Sequence, residues 1–258
     1  MKALILAAGM GTRLGEAGQK KPKCLAEIAG ISLLDRQIAT MRHLGLNDIS
    51  IVAGHQSDQI IAPSIRKFLN KRFRKTNMVK SLFCAETLML EKGDLVVSYG
   101  DIIYETKVLK ALMESSADVA VCVDRNWKPL WQLRMEDPLS DAETLKIDAN
   151  GYLRELGRKP HSYDEIEGQY IGLMKFSGAI LNKIQKTYAG LDKDKLYEGR
   201  SLDQMFMTTF LQLLIDSNFK VSPVLFEGGW LEIDSGDDLL LYNEMAKTGE
   251  LRRFYNGV

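Results

Sequence analysis

Three groups of residues in this chain have types and spacings that suit phosphate chemistry. The first is Gly9-Met10-Gly11-Thr12-Arg13, directly after the apolar run Lys2 to Ala8, with Lys21-Pro22-Lys23 a few residues on. A glycine-rich turn that closes a strand lets backbone N–H groups point at an anion and lets the main chain come close to it. Arg13 and Lys23 bracket the polar stretch 15–20 and would neutralise a polyphosphate from two sides. Leu6, Ala7, Ala8, Gly9, Gly11 and Thr12 are therefore expected to form a nucleotide-binding loop with Arg13 and Lys23. Without those flanking features the same glycines would make an ordinary turn and the lysines a solvated edge. Two better-known phosphate loops fail on the letters. There is no Gly followed after four residues by Gly-Lys-Ser/Thr, and Leu14 occupies the third glycine position of the dinucleotide fingerprint.

The second and third groups are carboxylates. A triphosphate travels with Mg²⁺, which takes one or two carboxylates and completes its shell with phosphate oxygens and water. Asp101, in Ser98-Tyr99-Gly100-Asp101, ends an apolar strand at the sheet edge where open α/β folds bind ligands, and Gly100 allows close approach. In Trp230-Leu231-Glu232-Ile233-Asp234, the two acids share one face of a strand. That pair is a candidate source of the second carboxylate, although Asp234 is also placed to cap the helix that follows. The chemistry such a set serves is transfer at a nucleoside triphosphate, where the work is positioning and charge neutralisation. His43, His55 and His161 lie outside these groups and receive no role.

The runs Leu6 to Leu14 and Lys21-Pro22-Lys23-Cys24-Leu25 resemble the signature of the sugar-phosphate and phosphocholine nucleotidyltransferases. The resemblance implies that the loop wraps a triphosphate, that Arg13 and Lys23 stabilise the departing pyrophosphate, and that Asp101 sits on Mg²⁺ with Asp234 as the second direct ligand and Glu232 its helper. It also implies in-line attack on the nucleotide's α-phosphorus by an acceptor phosphate or phosphonate oxygen, already an anion and in need of no general base. Gly100 to Tyr104, the tryptophan-bearing middle and Glu167 to Leu173 look more like the phosphocholine cytidylyltransferase branch than the sugar branch. The implied activity is transfer of CMP from CTP to a small phosphorylated amine or alcohol, with a sugar-1-phosphate nucleotidyltransferase as the alternative. The choice of CTP rests on the resemblance alone, as does Lys159, which matches a family lysine facing the acceptor phosphate. Ser81 and Ala85 are candidates for ribose and base contacts. Trp127, Trp131, Trp230 and Tyr170 offer aromatic faces to a quaternary ammonium, and Glu167, Asp124 and Asp137 would receive an ammonium too. Tryptophans beside prolines also anchor loops to a core, and a primary amine fits this set nearly as well. A glycosyltransferase is disfavoured because Asp101 is followed by Ile102-Ile103 rather than completing an Asp-x-Asp motif. A non-catalytic homologue is disfavoured by the intact Arg13, Lys23, Asp101 and Asp234.

Positioning these groups requires an α/β fold. With 258 residues, 45% of them hydrophobic, the chain can bury a core as a single domain, 1–258. Strands are expected at 2–7, 49–53, 94–99 and 119–123, with helices at 33–44, 79–89 and 107–115 between them. That alternation argues for a mostly parallel central sheet flanked by helices, Rossmann-like in the manner of the nucleotidyltransferases. Residues 124–142 read as irregular. Strands at 144–148 and 152–155 follow, and the stretch of about 124–175 forms a small β-rich lid over the acceptor. A strand at 169–176, an amphipathic helix at 202–214, a strand at 220–225 and a helix from about 236 complete the chain. The 34 basic and 34 acidic residues cancel, so neither nucleic acid nor an anionic membrane surface is an expected partner. No apolar run approaches membrane-spanning length. Cys24, Cys84 and Cys122 read as free thiols in apolar surroundings, consistent with a cytoplasmic enzyme. A homo-oligomer is allowed by this sequence.

Overall fold

In chain order the strands are β1 (Lys2–Ala7), β2 (Glu27–Ile28), β3 (Ile31–Ser32), β4 (Ile49–Ala53), β5 (Arg66–Leu69), β6 (Leu95–Tyr99), β7 (Ile102–Tyr104), β8 (Val119–Asp124), β9 (Leu145–Ile147), β10 (Leu153–Leu156), β11 (Gln169–Phe176), β12 (Val221–Phe226) and β13 (Trp230–Glu232). The helices are α1 (Leu33–His43), α2 (Met78–Cys84), α3 (Thr106–Glu114), α4 (Lys128–Arg134), α5 (Leu181–Ala189), α6 (Met207–Asp216) and α7 (Gly236–Thr248). This computed structural model describes residues 1–15 and 20–257.

The central sheet has the order β12-β8-β11-β6-β1-β4-β5. All pairings in it are parallel except those of β11, which runs antiparallel to both β6 and β8. The alternation in β1 shows how both faces come to be covered. Ala3, Ile5 and Ala7 belong to one apolar core, while Leu4, Leu6 and Ala8 belong to the other. Every residue of β1, β4 and β8 is buried, as their unbroken apolar runs require. Among the described residues no helix is long and apolar enough to cross a membrane.

Several boundaries differ from the expectations. The helix expected over 79–89 is α2 followed by a tighter 3₁₀ stretch, Glu86–Leu90. The 202–214 helix starts only at Met207, after a 3₁₀ turn at Leu202–Gln204. The irregular segment after β8 contains α4, which begins with Pro129 in its first turn, a position where the missing N–H of proline costs nothing. The edge strand β5, Arg-Lys-Phe-Leu, escaped notice because its residues are mostly exposed.

Two features bring distant chain to the sheet edge. β7 pairs antiparallel with β13, setting Glu232 opposite Ile102, and Ile233 N–H donates to the Asp101 carbonyl at 3.0 Å. Gln37 of α1 fastens the turn before β7 by donating to the carbonyls of Tyr99 and Ile102, at 3.0 and 2.7 Å. The β9–β10 hairpin turns through Gly151, with φ 83°, and rests on α6, where the Gln212 side chain accepts from Leu156 N–H at 2.8 Å.

Helix α7 opens with a capping box. Ser235 Oγ accepts from Asp238 N–H at 3.1 Å, and Asp238 Oδ2 accepts from the N–H groups of Asp234 and Ser235 at 2.8 and 2.9 Å. Ser235→Ala removes one partner of the first turn and is expected to cost about 1 kcal/mol. At this chain length that lowers the melting temperature by about 2–4 °C, as calorimetry would show. An unshifted transition would contradict the cap's contribution.

Candidate active site

Three carboxylates meet where β1, β6 and β13 end and β7 begins. Ligand oxygens of Asp101, Glu232 and Asp234 lie within 4.8 Å of one another. Two come from the β7–β13 pairing just described, so the cluster follows from strand register rather than from chain proximity. Gly100 allows the close backbone approach expected of it. A Cβ there would stand 2.9 Å from the Leu6 carbonyl oxygen and from Ala7 Cβ, so glycine lets β6 turn against β1 and carries Asp101 to the loop.

Basic groups hold the cluster together. Lys23 Nζ donates to Asp101 Oδ2 at 2.7 Å and to Asp234 Oδ1 at 2.9 Å. Arg13 reaches the same Asp234 oxygen at 3.0 Å from an exposed position. From behind, the buried guanidinium of Arg134 on α4 contacts Glu232 at 2.9 Å, Asp234 at 3.2 Å and Asp238 at 3.1 Å. Burial opposes charge on Lys23, but Asp101 and Asp234 outweigh it and hold the ammonium above its ordinary pKa. The same balance, with Glu232 and Asp238, keeps Arg134 charged. Burial and the adjacent Asp234 charge push Glu232 upward. Asp234 is held low: burial works against ionisation, and Lys23, Arg13 and Arg134 overcome it.

The residues fit a hard divalent cation. The donors are all carboxylate oxygens, the set that Mg²⁺ prefers. Asp101 Oδ1 is buried with no hydrogen-bond partner among the described residues, and an unmet carboxylate oxygen in such a place is stabilised by a ligand.

Two cavities share Asp101 and Met78. The smaller, about 110 Å³, is lined by Leu6, Ala7, Ala8, Gly9, Lys23 and Gly100 on the loop side, and by Thr76, Asn77 and Ser81 opposite. Asn70 braces that far wall, donating to Thr76 Oγ1 at 2.9 Å and Ser81 Oγ at 3.0 Å. The larger, about 270 Å³, is lined by Arg13, Trp131, Tyr170, Trp230, Glu232 and Asp234 together with Asp141, Glu143, Gln169 and Thr208. Gly172, with φ 82°, leaves room for the Tyr99 ring that forms part of this wall.

Most of the residues singled out from sequence are thus gathered around the two cavities, and some are not. Gly11, in the left-handed conformation, and Thr12 form the turn that carries Arg13 but line neither cavity. Ala85 is fully buried behind Ser81. Lys159 is exposed and donates to the carbonyl of Ser140 at 2.6 Å and to that of Leu139. Glu167 is exposed, its Oε1 accepting from Ile147 N–H at 3.1 Å. The tryptophans do not form an open cage. Trp127 lies in the core outside the cavity lining, and Trp230 Nε1 donates to buried Asp124 at 2.8 Å. The Trp131 ring already carries the Arg134 guanidinium at 5.5 Å from its centre. Asp137 caps a turn by accepting from Leu139 N–H. Arg134, Asp141, Glu143 and Asn77 were missed. Asn77 had a signal, as an N-cap residue before the apolar run Met78–Cys84.

A mostly parallel sheet with a glycine loop after its first strand, and acids and bases converging at the strand ends, defines an α/β protein that handles nucleoside phosphates. Comparison with known proteins agrees. The MobA-like NTP transferase domain family matches residues 3–163. CTP:phosphoglutamine cytidylyltransferase of Campylobacter jejuni is 41% identical over 249 residues, covering 93% of this chain and 98% of that protein. Among solved structures, a putative glucose-1-phosphate thymidylyltransferase from Bacillus anthracis superposes with a TM-score of 0.71 at 16% identity, covering 100% and 98% of the two chains. CTP:phosphocholine cytidylyltransferase from Streptococcus pneumoniae superposes with a TM-score of 0.67 at 19% identity, covering 95% and 98%. The chain belongs to the MobA-like NTP transferase family and is a nucleotidyltransferase.

Proposed function

We propose that this enzyme transfers CMP from CTP to a small phosphorylated amine or alcohol and releases pyrophosphate. The carrying observation is the junction of two cavities at Asp101, with Lys23 on the same carboxylate and Arg13 at the rim of the larger. The smaller cavity, beside the glycine loop, takes the nucleotide, with Thr76, Asn77 and Ser81 facing its sugar and base. The larger takes the acceptor. Lys23 and Arg13 neutralise the phosphates that separate, and Arg134 fixes the orientation of Glu232 and Asp234 from behind. Mg²⁺ would be held by Asp101 and Asp234 with Glu232 beside them, and when bound it supplies charge stabilisation on the phosphoryl oxygens. Rigid placement of both phosphates around one carboxylate cluster supplies the positioning that in-line transfer needs. The preference for CTP is supported by the phosphoglutamine cytidylyltransferase relative and by the likeness in sequence to the phosphocholine branch.

The chain works in this reading as one catalytic unit, with residues of about 124–175 forming the acceptor side, in the cytoplasm, as a monomer or a homo-oligomer. A pyrophosphate-release assay crossing four nucleoside triphosphates with amino-acid phosphates, phosphocholine, aminoalkyl phosphonates and hexose 1-phosphates tests it. Release is expected to be fastest with CTP and a phosphorylated amine, and to stop on removal of Mg²⁺ by EDTA. Fastest release with a hexose 1-phosphate and UTP or dTTP would overturn it.

A further inference from the structure

Acids predominate among the charged groups that line the larger cavity. Among the described residues its only basic lining group is Arg13, at the Asp234 end. Asp141 and Glu143 line it too, and both come from the short segment between α4 and β9. Glu143 is firmly placed. Its N–H donates to Gln169 Oε1 at 3.1 Å, and its carbonyl accepts from Gln169 Nε2 at 2.7 Å. Among the described residues its carboxylate accepts one hydrogen bond, from Thr208 Oγ1 at 3.3 Å, and makes no ion pair with a lysine or arginine. A carboxylate sunk into a cavity wall with only a hydroxyl for company is costly unless a cation meets it. Burial, reinforced by Asp141 and Glu198, pushes it up to about 7. The indole N–H of Trp131, on another wall of the same cavity, is also buried without a partner among the described residues.

We propose that Glu143, backed by Asp141, is the specificity residue for the acceptor and selects a phosphorylated molecule that carries a primary ammonium. This rests on the acceptor assignment made under Proposed function and narrows it. The phosphate end of such an acceptor goes to Arg13 and to the metal that Asp101, Glu232 and Asp234 would hold, and the ammonium end to Glu143. A primary ammonium brings three N–H donors, matching Glu143, Asp141 and the side-chain oxygens of Thr208 and Gln169. A quaternary ammonium brings none and would leave the Glu143 oxygens unsatisfied. It would instead need an open cage of aromatic faces, whereas Trp131 carries Arg134, Trp230 is buried in the core and Tyr170 packs edge-on with Tyr99. At about 270 Å³ the cavity is at the small end of ligand sites, as a short amino-alkyl phosphate requires.

Calorimetric titration with phosphoethanolamine, phosphocholine and ethyl phosphate, in the presence of Mg²⁺ and α,β-methylene-CTP, tests this assignment. Phosphoethanolamine is expected to bind at least about tenfold tighter than either of the others, the usual range for a charge-assisted hydrogen-bonded contact. Glu143→Gln, which keeps shape and removes the charge, is expected to bring phosphoethanolamine down to the level of ethyl phosphate. Equal binding of the three compounds by the wild-type protein, or a preference that survives in Glu143→Gln, would overturn the assignment. The wild-type comparison needs no variant to fold. Binding of the nucleotide analogue is read in the same series. Its failure alongside an intact amine preference would contradict the CTP reading while supporting the role of Glu143.

Discussion

Asp101→Asn is expected to lower turnover by about 10³-fold while leaving the protein folded, a loss in the range of removing one preorganised electrostatic partner from a transition state. Asparagine has the shape of aspartate, and its amide oxygen still accepts from Lys23, whose contact with Asp101 Oδ2 is 2.7 Å. The β7–β13 pairing and the Ile233 N–H bond to the residue's own carbonyl involve backbone only and remain. What changes is the charge, and with it the unmet oxygen Oδ1 that suits a divalent cation. The variant should therefore melt within a few degrees of the wild type, with the deficit in kcat and in the Mg²⁺ concentration needed for half-maximal rate. Full Mg²⁺-dependent turnover in Asp101→Asn would contradict the placement of this carboxylate at the reacting phosphates.

The second large effect is on stability. Arg134→Leu is expected to destabilise the protein by about 3–5 kcal/mol, the cost of stranding a buried charge partner. The Arg134 side chain is 2% exposed and spans Glu232, Asp234 and Asp238, the last of which is also the capping residue of α7. Its removal leaves Glu232 and Asp238 facing one another across an apolar gap and loosens the carboxylates from behind. Arg134→Lys keeps one charge but lacks the planar fork that reaches three acids, so an intermediate loss is expected. In the double variant Arg134→Leu/Glu232→Gln, part of the loss should return, since one stranded charge is gone. Thermal unfolding of the four proteins measures this. A melting temperature for Arg134→Leu equal to that of the wild type would show that the ion network is not holding the site.

Much of the architecture was legible because it follows from local pattern. The apolar runs of β1, β4 and β8 read directly as buried parallel strands, and the glycine loop after β1 gave the phosphate site its address. Asp101 was legible from its place at a strand end. Glu232 and Asp234 were legible as a pair, but nothing local says that β13 lies against β7. Their meeting with Asp101 is a long-range register, and it entered only through resemblance. Helix α4 carried a start signal in Pro129, yet the neighbouring tryptophans and acids masked its period, and with it Arg134. Aromatic residues near a binding site look like ligand contacts in sequence whether they face a cavity or a core. Here burial decided: Trp127 is in the core, and Trp131 and Trp230 show the cavity only part of their surface. The acids went the same way. Asp124, Asp137 and Glu167 turned out to have backbone and indole partners, while Asp141 and Glu143, indistinguishable from them in sequence, line the larger cavity.

The most direct test is ³¹P NMR of the products formed from CTP and a phosphorylated amino-alcohol or amino acid with Mg²⁺. Nucleotidyl transfer predicts a new pair of coupled diphosphate resonances, growing in step with free pyrophosphate as both substrates disappear. Appearance of CDP and inorganic phosphate with the acceptor signal unchanged would mean cleavage at the γ-phosphate, and would contradict the assignment of Arg13, Lys23 and Asp101 to attack at the α-phosphorus.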